Sequence, residues 1–168
     1  MVTIEAKRLN LTELSAKDGS FIFELYNDKD FINHIGDRGI RTIMDAERFI
    51  ESGPRSSYTD NGHGLYLVQL KDDTSIGICG LLKRDNLEHP DIGFATLPKY
   101  RREGYTFEAA KTILEDGRKR LELKRILAIT ASENSASIHL LKKLGIKFER
   151  KINMDNERHP TMLFSIHL

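Results

Sequence analysis

The chain has 168 residues, enough for one well-buried core, and no Pro/Gly/Ser-rich stretch divides it. Its 26 Lys and Arg against 25 Asp and Glu exclude a general electrostatic pull toward nucleic acid or anionic membrane, so any basic function has to be local. No run approaches the roughly eighteen apolar residues of a membrane span, and the start Met1-Val2-Thr3-Ile4-Glu5 lacks the order of a secretory signal. A single cytoplasmic domain over residues 1–168 is expected, with no nucleic-acid or membrane partner. The lone Cys79, among Ile76, Ile78, Leu81 and Leu82, excludes an internal disulfide and reads as a small buried hydrophobe.

Ile4, Leu9, Leu11 and Leu14 predict a first strand over residues 4–14, with imperfect alternation. Phe21, Ile22, Leu25 and Tyr26, then Phe31, Ile32 and Ile35, then Ile43, Met44, Phe49 and Ile50 recur at helical spacing. They predict two or three short helices, followed by a loop around residues 51–62. Residues 65–70 and 75–83 flank the turn Lys71-Asp72-Asp73-Thr74 and predict a hairpin, which residues 92–97 extend into a meander. Phe107, Ala110, Ile113, Leu114, Gly117 and Leu121 mark the apolar face of a helix over residues 106–121. Residues 125–130 suit a central strand. Ser132-Glu133-Asn134-Ser135 is rich in capping types, and Ile138, Leu141 and Leu144, closed by Gly145, outline a second amphipathic helix. Residues 147–154 and 161–168 predict two closing strands.

The most informative stretch is Tyr100-Arg101-Arg102-Glu103-Gly104-Tyr105-Thr106, which lies between a predicted strand and a predicted helix. A turn that opens a helix presents unpaired N–H groups at the positive end of the helix dipole and suits a phosphate or pyrophosphate. Arg101 and Arg102 strengthen that reading, with at least one expected on phosphate; the alternatives are a solvated basic pair and, for Gly104, an ordinary tight turn. His34, His63, His89, His139, His159 and His167 show no pair at the spacing of a zinc site on one helix, and no metal is expected.

The order of elements and these motifs resemble the GNAT N-acyltransferase superfamily, and within it the Rim-type ribosomal-protein N-terminal acetyltransferases. That resemblance implies an α/β (α+β) GNAT-like fold, a mixed and mostly antiparallel sheet of about six to seven strands flanked by about four helices. The family binds coenzyme A at a Gln/Arg-x-x-Gly-x-Gly/Ala turn, and Arg101, Gly104 and Thr106 occupy its defining positions, Thr106 being the departure. Rim-type members read Gly-Tyr-Ala-Thr-Glu-Ala, against Gly104-Tyr105-Thr106-Phe107-Glu108-Ala109. Arg102 stands where many relatives carry a small residue. Asn134, Ser137, Leu141 and Gly145 fit the family's Asn-x-x-Ser-x-x-x-Leu-x-x-x-Gly segment. The resemblance thus implies acetyl-CoA as acyl donor, held by the turn residues Arg101, Arg102, Glu103, Gly104, Tyr105 and Thr106. It also implies backbone contacts from Phe94, Ala95, Thr96 and Leu97, a coenzyme contact from Asn134, and Ser137 near the departing sulfur.

Direct attack of an amine on a thioester needs orientation, an oxyanion donor, a base and an acid. Asp91, at the start of the coenzyme strand, is the first base candidate, with Glu88 and His89 behind it; a solvated role on a loop edge is equally open for all three. Ser137 is the leading acid by motif position, with helix-start capping or a simple hydrogen bond as the alternative. Thr106 puts a β-branch where the family prefers Gly or Ala, either crowding the pyrophosphate or adding a hydroxyl contact. Tyr26, Phe31 and His34 either line a substrate pocket or complete a core. The acceptor is expected to be a primary amine: a protein or peptide N-terminus, or a small amine. The competing function is a non-catalytic coenzyme-A-binding sensor or degenerate acyltransferase domain. Monomer and homodimer both remain open, because a strand edge near the C-terminus offers a pairing surface.

Overall fold

A computed structural model describes residues 1–154 and 160–168, so the expectation for His159 falls outside the described residues. The fold is built on one eight-stranded sheet of order β1-β2-β3-β4-β5-β6-β8-β7. Its strands are β1 Thr3–Glu5, β2 Leu9–Glu13, β3 Leu65–Leu70, β4 Ser75–Leu82, β5 Asp91–Thr96, β6 Arg125–Thr130, β7 Lys147–Ile152 and β8 Thr161–His167. Every neighbouring pair is antiparallel except β5 and β6. The sheet is therefore mixed and mostly antiparallel, as expected, but with eight strands among the described residues rather than six or seven.

The additional strand comes from the start of the chain. Residues 4–14 do not form one strand: the alternation fails at Ala6-Lys7-Arg8 because the chain reverses there, with the Ala6 amide bonding the Leu9 carbonyl at 2.9 Å. Helices α1 Gly19–Tyr26, α2 Lys29–His34 and α3 Ile43–Ile50 answer to the three apolar groups, while the expected loop at residues 51–62 is helical. There α3 runs through a π-helical segment, Glu51–Arg55, into α4, Ser56–Asn61. Pro54 sits inside that segment, and the wider turn accommodates a residue that has no N–H to donate. Helices α5 Tyr105–Lys119 and α6 Ser135–Lys143 complete the set of six α-helices among the described residues. None of the described helices is long and apolar enough to cross a membrane.

Alternation along the strands sends two sets of side chains to two cores. On one face Ile22, Leu25, Tyr26, Phe31 and Ile50 from α1–α3 pack on Leu65, Leu67 and Ile78. On the other, Ala110, Ile113 and Leu114 of α5 and Leu141 of α6 pack on Leu9, Val68, Ile92, Ile126 and Phe164. The third cluster, Leu87, Leu127 and Leu163, lies on the face of β6 opposite Ile126, under the connection from β4 to β5.

The feature that positions the site is the parting of β5 and β6. They pair at a single register position, Asp91 with Leu127, supported by a 2.9 Å bond from the Leu127 amide to the Pro90 carbonyl. Beyond that point the strands separate, and residues 93–96 of β5 are only half-buried although β5 is an interior strand. A wedge opens toward the C-terminal ends of both strands, where α5 and α6 begin.

Tight strand contact on the other side of β4 gives a direct test of this architecture. A Cβ at Gly80 would lie 2.0 Å from the Gly64 carbonyl oxygen and 2.8 Å from Leu65 Cα, both backbone atoms. Gly80→Ala is expected to destabilise the fold by about 3 kcal/mol, read as a lower urea midpoint at unchanged slope. An unshifted midpoint would show that β3 and β4 do not meet as described.

Candidate active site

The turn before α5 is held open by its own backbone geometry. After a 3-10 turn at Pro98–Tyr100, Arg102 takes φ +64° and Gly104 φ +79°, both left-handed. Gly104 suits that conformation; Arg102 adopts it at a cost of about 1 kcal/mol. Gly104 caps α5, and no described residue accepts from the amides of Tyr105, Thr106 or Phe107. These N–H groups lie at the positive end of a 15-residue helix, an arrangement whose chemistry suits an anion.

A residue outside the motif holds this turn in place. Glu108, in the first turn of α5, accepts from the Arg8 amide at 2.6 Å and from Arg8 Nε at 2.6 Å. Arg8 Nη1 donates to the Glu103 carbonyl at 3.0 Å, and the guanidinium lies 4.6 Å from the Tyr105 ring centroid. The hairpin of β1 and β2 thus clamps the start of α5 through charge-assisted bonds.

The two turn arginines behave differently. Arg101 donates from Nε to the Thr96 carbonyl at 2.9 Å and from Nη2 to Asp28 Oδ2 at 2.9 Å, and it also pairs with Asp30. Its side chain ties the turn to the start of α2, which Asp28 also caps by accepting from the Phe31 amide at 3.1 Å. Of the pair, Arg102 is therefore the exposed cation beside the turn. Glu103 is likewise exposed. The Thr106 hydroxyl is 2.7 Å from that of Thr96, so its β-branch is turned back toward β5 and joins the strand end to the helix start.

Strand β5 faces the wedge with only some of its expected contacts. Leu97 donates to the Ile76 carbonyl at 2.9 Å and accepts from the Tyr100 amide at 3.0 Å, so both of its backbone groups are taken within the chain. Antiparallel alternation then turns the Ala95 backbone toward Ile78 of β4 and leaves those of Phe94 and Thr96 facing the gap. The backbone contacts inferred for Leu97 and Ala95 are corrected accordingly; toward the gap Phe94 presents both backbone groups and Thr96 its amide, the Thr96 carbonyl being taken by Arg101.

At the closed end of the wedge, Asp91 is 1% exposed rather than solvated on a loop edge. Ile92 joins the α5 core, so Asp91 projects to the opposite face, beside Leu127. Burial pushes its carboxyl above the usual carboxylate range, opposed by Arg84, whose Nε lies 2.8 Å from Asp91 Oδ1. Glu88 and His89 line a neighbouring cleft of about 200 Å³ with Arg125, Leu127 and Glu149.

At the open end, Asn134 Oδ1 accepts from the Ser137 amide at 3.2 Å. Asn134 is thus the cap of α6, and the half-buried Ser137 hydroxyl bonds no described residue. The structure brings Phe94, Thr96, the α5 amides and the start of α6 around one opening. It does not bring Tyr26 or Phe31 there: both are buried, their rings 4.3 Å apart, and His34 is exposed at the end of α2. Arg8 and Arg84 do not stand out in the sequence; the only signals are a broken alternation around Arg8 and the charged run Lys83-Arg84-Asp85 ahead of Asp91.

Residues 8–147 match the acetyltransferase (GNAT) domain family. This chain is a GNAT N-acetyltransferase. The family uses acetyl-CoA as acyl donor, which fits an anion-binding helix start over a gap lined by free backbone groups. The chain is 32% identical over 146 residues to YnaD of Bacillus subtilis, described as an uncharacterized N-acetyltransferase, covering 87% of this chain and 83% of that one. The GNAT-family acetyltransferase from Bacillus anthracis superposes with a TM-score of 0.82 at 26% identity, covering 99% of this chain and 98% of its own. Among Rim-type enzymes, the ribosomal α-N-protein acetyltransferase RimL, in complex with coenzyme A, shares the fold with a TM-score of 0.86 at 10% identity, covering 99% of this chain and 98% of its own.

The strained residue in the turn supplies a test. Arg102→Gly is expected to raise stability by about 1 kcal/mol by relieving the left-handed backbone, seen as a higher denaturant midpoint. A neutral or lower midpoint would show that Arg102 does not hold this conformation in solution.

Proposed function

We propose that this GNAT enzyme transfers the acetyl group of acetyl-CoA directly to a primary amine, with the α-amino group of a protein or peptide as acceptor. The observation that carries the proposal is the wedge between β5 and β6, with helix amides at its open end and a buried carboxylate at its closed end. In this reading the amides of Tyr105, Thr106 and Phe107 hold the pyrophosphate, with Arg102 beside them, and the backbone of Phe94 and the amide of Thr96 pair with pantetheine as a missing strand would.

The amine nitrogen attacks the thioester carbonyl carbon, forming the C–N bond. The oxyanion is met by a β5 amide facing the gap, and the C–S bond breaks as the tetrahedral intermediate collapses. The amine proton passes to Asp91, directly or through water, and the departing thiolate takes a hydrogen bond or proton at Ser137. No covalent enzyme intermediate is needed, which agrees with a buried Cys79 whose thiol is pushed upward by desolvation.

Proton energetics supports this acceptor class. Deprotonating an α-amino group of pKa about 8 at pH 7 costs about 1.4 kcal/mol, whereas a lysine near 10.4 costs about 4.6 kcal/mol. One carboxylate whose charge is already shared with Arg84 suits the easier task. The name of RimL points the same way, though at 10% identity that likeness speaks for the fold.

Calorimetric titration with acetyl-CoA is expected to show one site per chain, and Gly104→Glu to abolish it. The substitution places an anion at a left-handed position whose Cβ lies 3.3 Å from Arg8 Nη2. Unchanged affinity in that variant would remove the turn from the coenzyme site. In a thiol-release assay, a free peptide N-terminus is expected to outperform the side chain of an N-terminally blocked lysine; the reverse order would overturn the acceptor class. Asp91→Asn should lower kcat about 100-fold or more with acetyl-CoA affinity retained, and an unaltered kcat would refute its role as base.

A further inference from the structure

We infer that Arg84 is the positioning residue for Asp91: it anchors one oxygen of the carboxylate at the closed end of the wedge and supplies the counter-charge that a buried carboxylate needs. The inference rests on the proposed role of Asp91 as proton acceptor. A carboxylate sealed from water without a partner takes up a proton and stays neutral, and a neutral acid cannot accept the amine's proton. The Asp91 side chain is 2% exposed and Arg84 is its one ion-pair partner among the described residues.

The geometry suits positioning rather than simple neutralisation. Arg84 Nε meets Oδ1 at 2.8 Å, and no other described side chain bonds either oxygen of Asp91. The carboxylate is thus oriented by two fixed donors, the Arg84 guanidinium at Oδ1 and the Asp91 backbone amide. Arg84 is itself held: it lies just after β4, and the Leu87 amide bonds its carbonyl at 3.3 Å. Leu87 is 7% exposed and packs with Leu127, the bridge partner of Asp91. The connection that carries Arg84 is therefore pinned on the same face and beside the same residue as the carboxylate it serves.

The remaining charges around Asp91 are accounted for. From β4 its neighbour is the apolar Leu82, and from β6 the apolar Leu127. Arg125, two residues before Leu127 and on the same face, is paired with Glu149 of β7, which also contacts Arg150. His89 and Glu88 lie on the connecting loop and line the adjacent cleft, and Lys83 and Asp85 are exposed beside Arg84. Burial pushes the Asp91 carboxyl up, and Arg84 is the charge that opposes the push. Removing Arg84 leaves burial unopposed, so the carboxyl should hold its proton to higher pH and the acid limb of the rate profile should move upward.

The test compares the acid limb of kcat, at saturating peptide amine and acetyl-CoA, in the wild type, Asp91→Asn, Arg84→Gln and Arg84→Lys. Arg84→Gln is expected to move the limb about one to three pH units higher, with much of the rate recovered above it. Arg84→Lys, which keeps the charge without the rigid planar fork, should leave the limb near its wild-type position but lower the plateau. Asp91→Asn should lose both rate and limb. If Asp91→Asn abolishes the limb while Arg84→Gln leaves it in place, the Arg84 assignment is overturned and Asp91 stands. A wild-type profile in Asp91→Asn would instead remove the base itself. Should Arg84→Gln fail to fold, Arg84→Lys decides: a lowered plateau with an unmoved limb supports positioning, and a wild-type plateau overturns it.

Discussion

Two parallel strands that touch once and then part are the constraint on which the rest of this molecule depends. A parallel pair requires a crossover, and here that crossover is α5, which must begin beyond the end of β5 and pack back across the sheet. α6 begins beyond the end of β6 in the same way. The separation of the strands consequently places two helix starts over one gap, together with interior-strand backbone groups that have no neighbouring strand to pair with. A linear amide-bearing ligand with a charged head complements both features at once. The opening is thus a consequence of strand order and separation, and individual side chains refine it.

What keeps the helix start in position is a set of ion pairs that reach it from distant parts of the chain. Arg8 reaches Glu108 from the first hairpin, and Arg101 reaches Asp28 and Asp30 at the start of α2. Each arginine also donates to a backbone carbonyl of the turn or of the strand before it, Glu103 for Arg8 and Thr96 for Arg101. Such contacts, partly exposed, contribute modestly to stability but strongly to geometry, because a guanidinium that bonds two partners in fixed directions restricts both. That restriction keeps the unpaired amides at the start of α5 in fixed directions. The same logic operates at the closed end of the wedge, where Arg84 pairs with Asp91, the one buried carboxylate among the described residues.

Much of the fold was legible in the sequence, and the exceptions have distinct causes. The hairpin of β3 and β4, the helix α5, the central strand β6 and the capped helix α6 follow from short-period patterns and local turn chemistry. The first hairpin was hidden because Ala6-Lys7-Arg8 contains no Gly, Pro, Asn or Asp to mark a reversal. The helical path through Ser52-Gly53-Pro54 was hidden because propensity argues against it, and tertiary packing of Pro54 and its neighbours overrides propensity. The motif residues did mark a left-handed turn at the start of a helix, yet they could not show that the Arg101 side chain is already engaged or that Leu97 has no free backbone group.

By itself the sequence determined most of the secondary elements, from the hairpin of β3 and β4 to the capped helix α6, and the helix-opening turn at Gly104, because these arise from residues near one another along the chain. The tertiary structure alone decided that Asp91 is buried beside Leu127, that Arg84 faces it, and that Arg8 and Asp28 hold the turn from opposite sides. Those facts depend on which strand lies beside which and how far apart two of them stand. Strand neighbours and their separation are set by the packing of the two cores together, and no local pattern of residues encodes them.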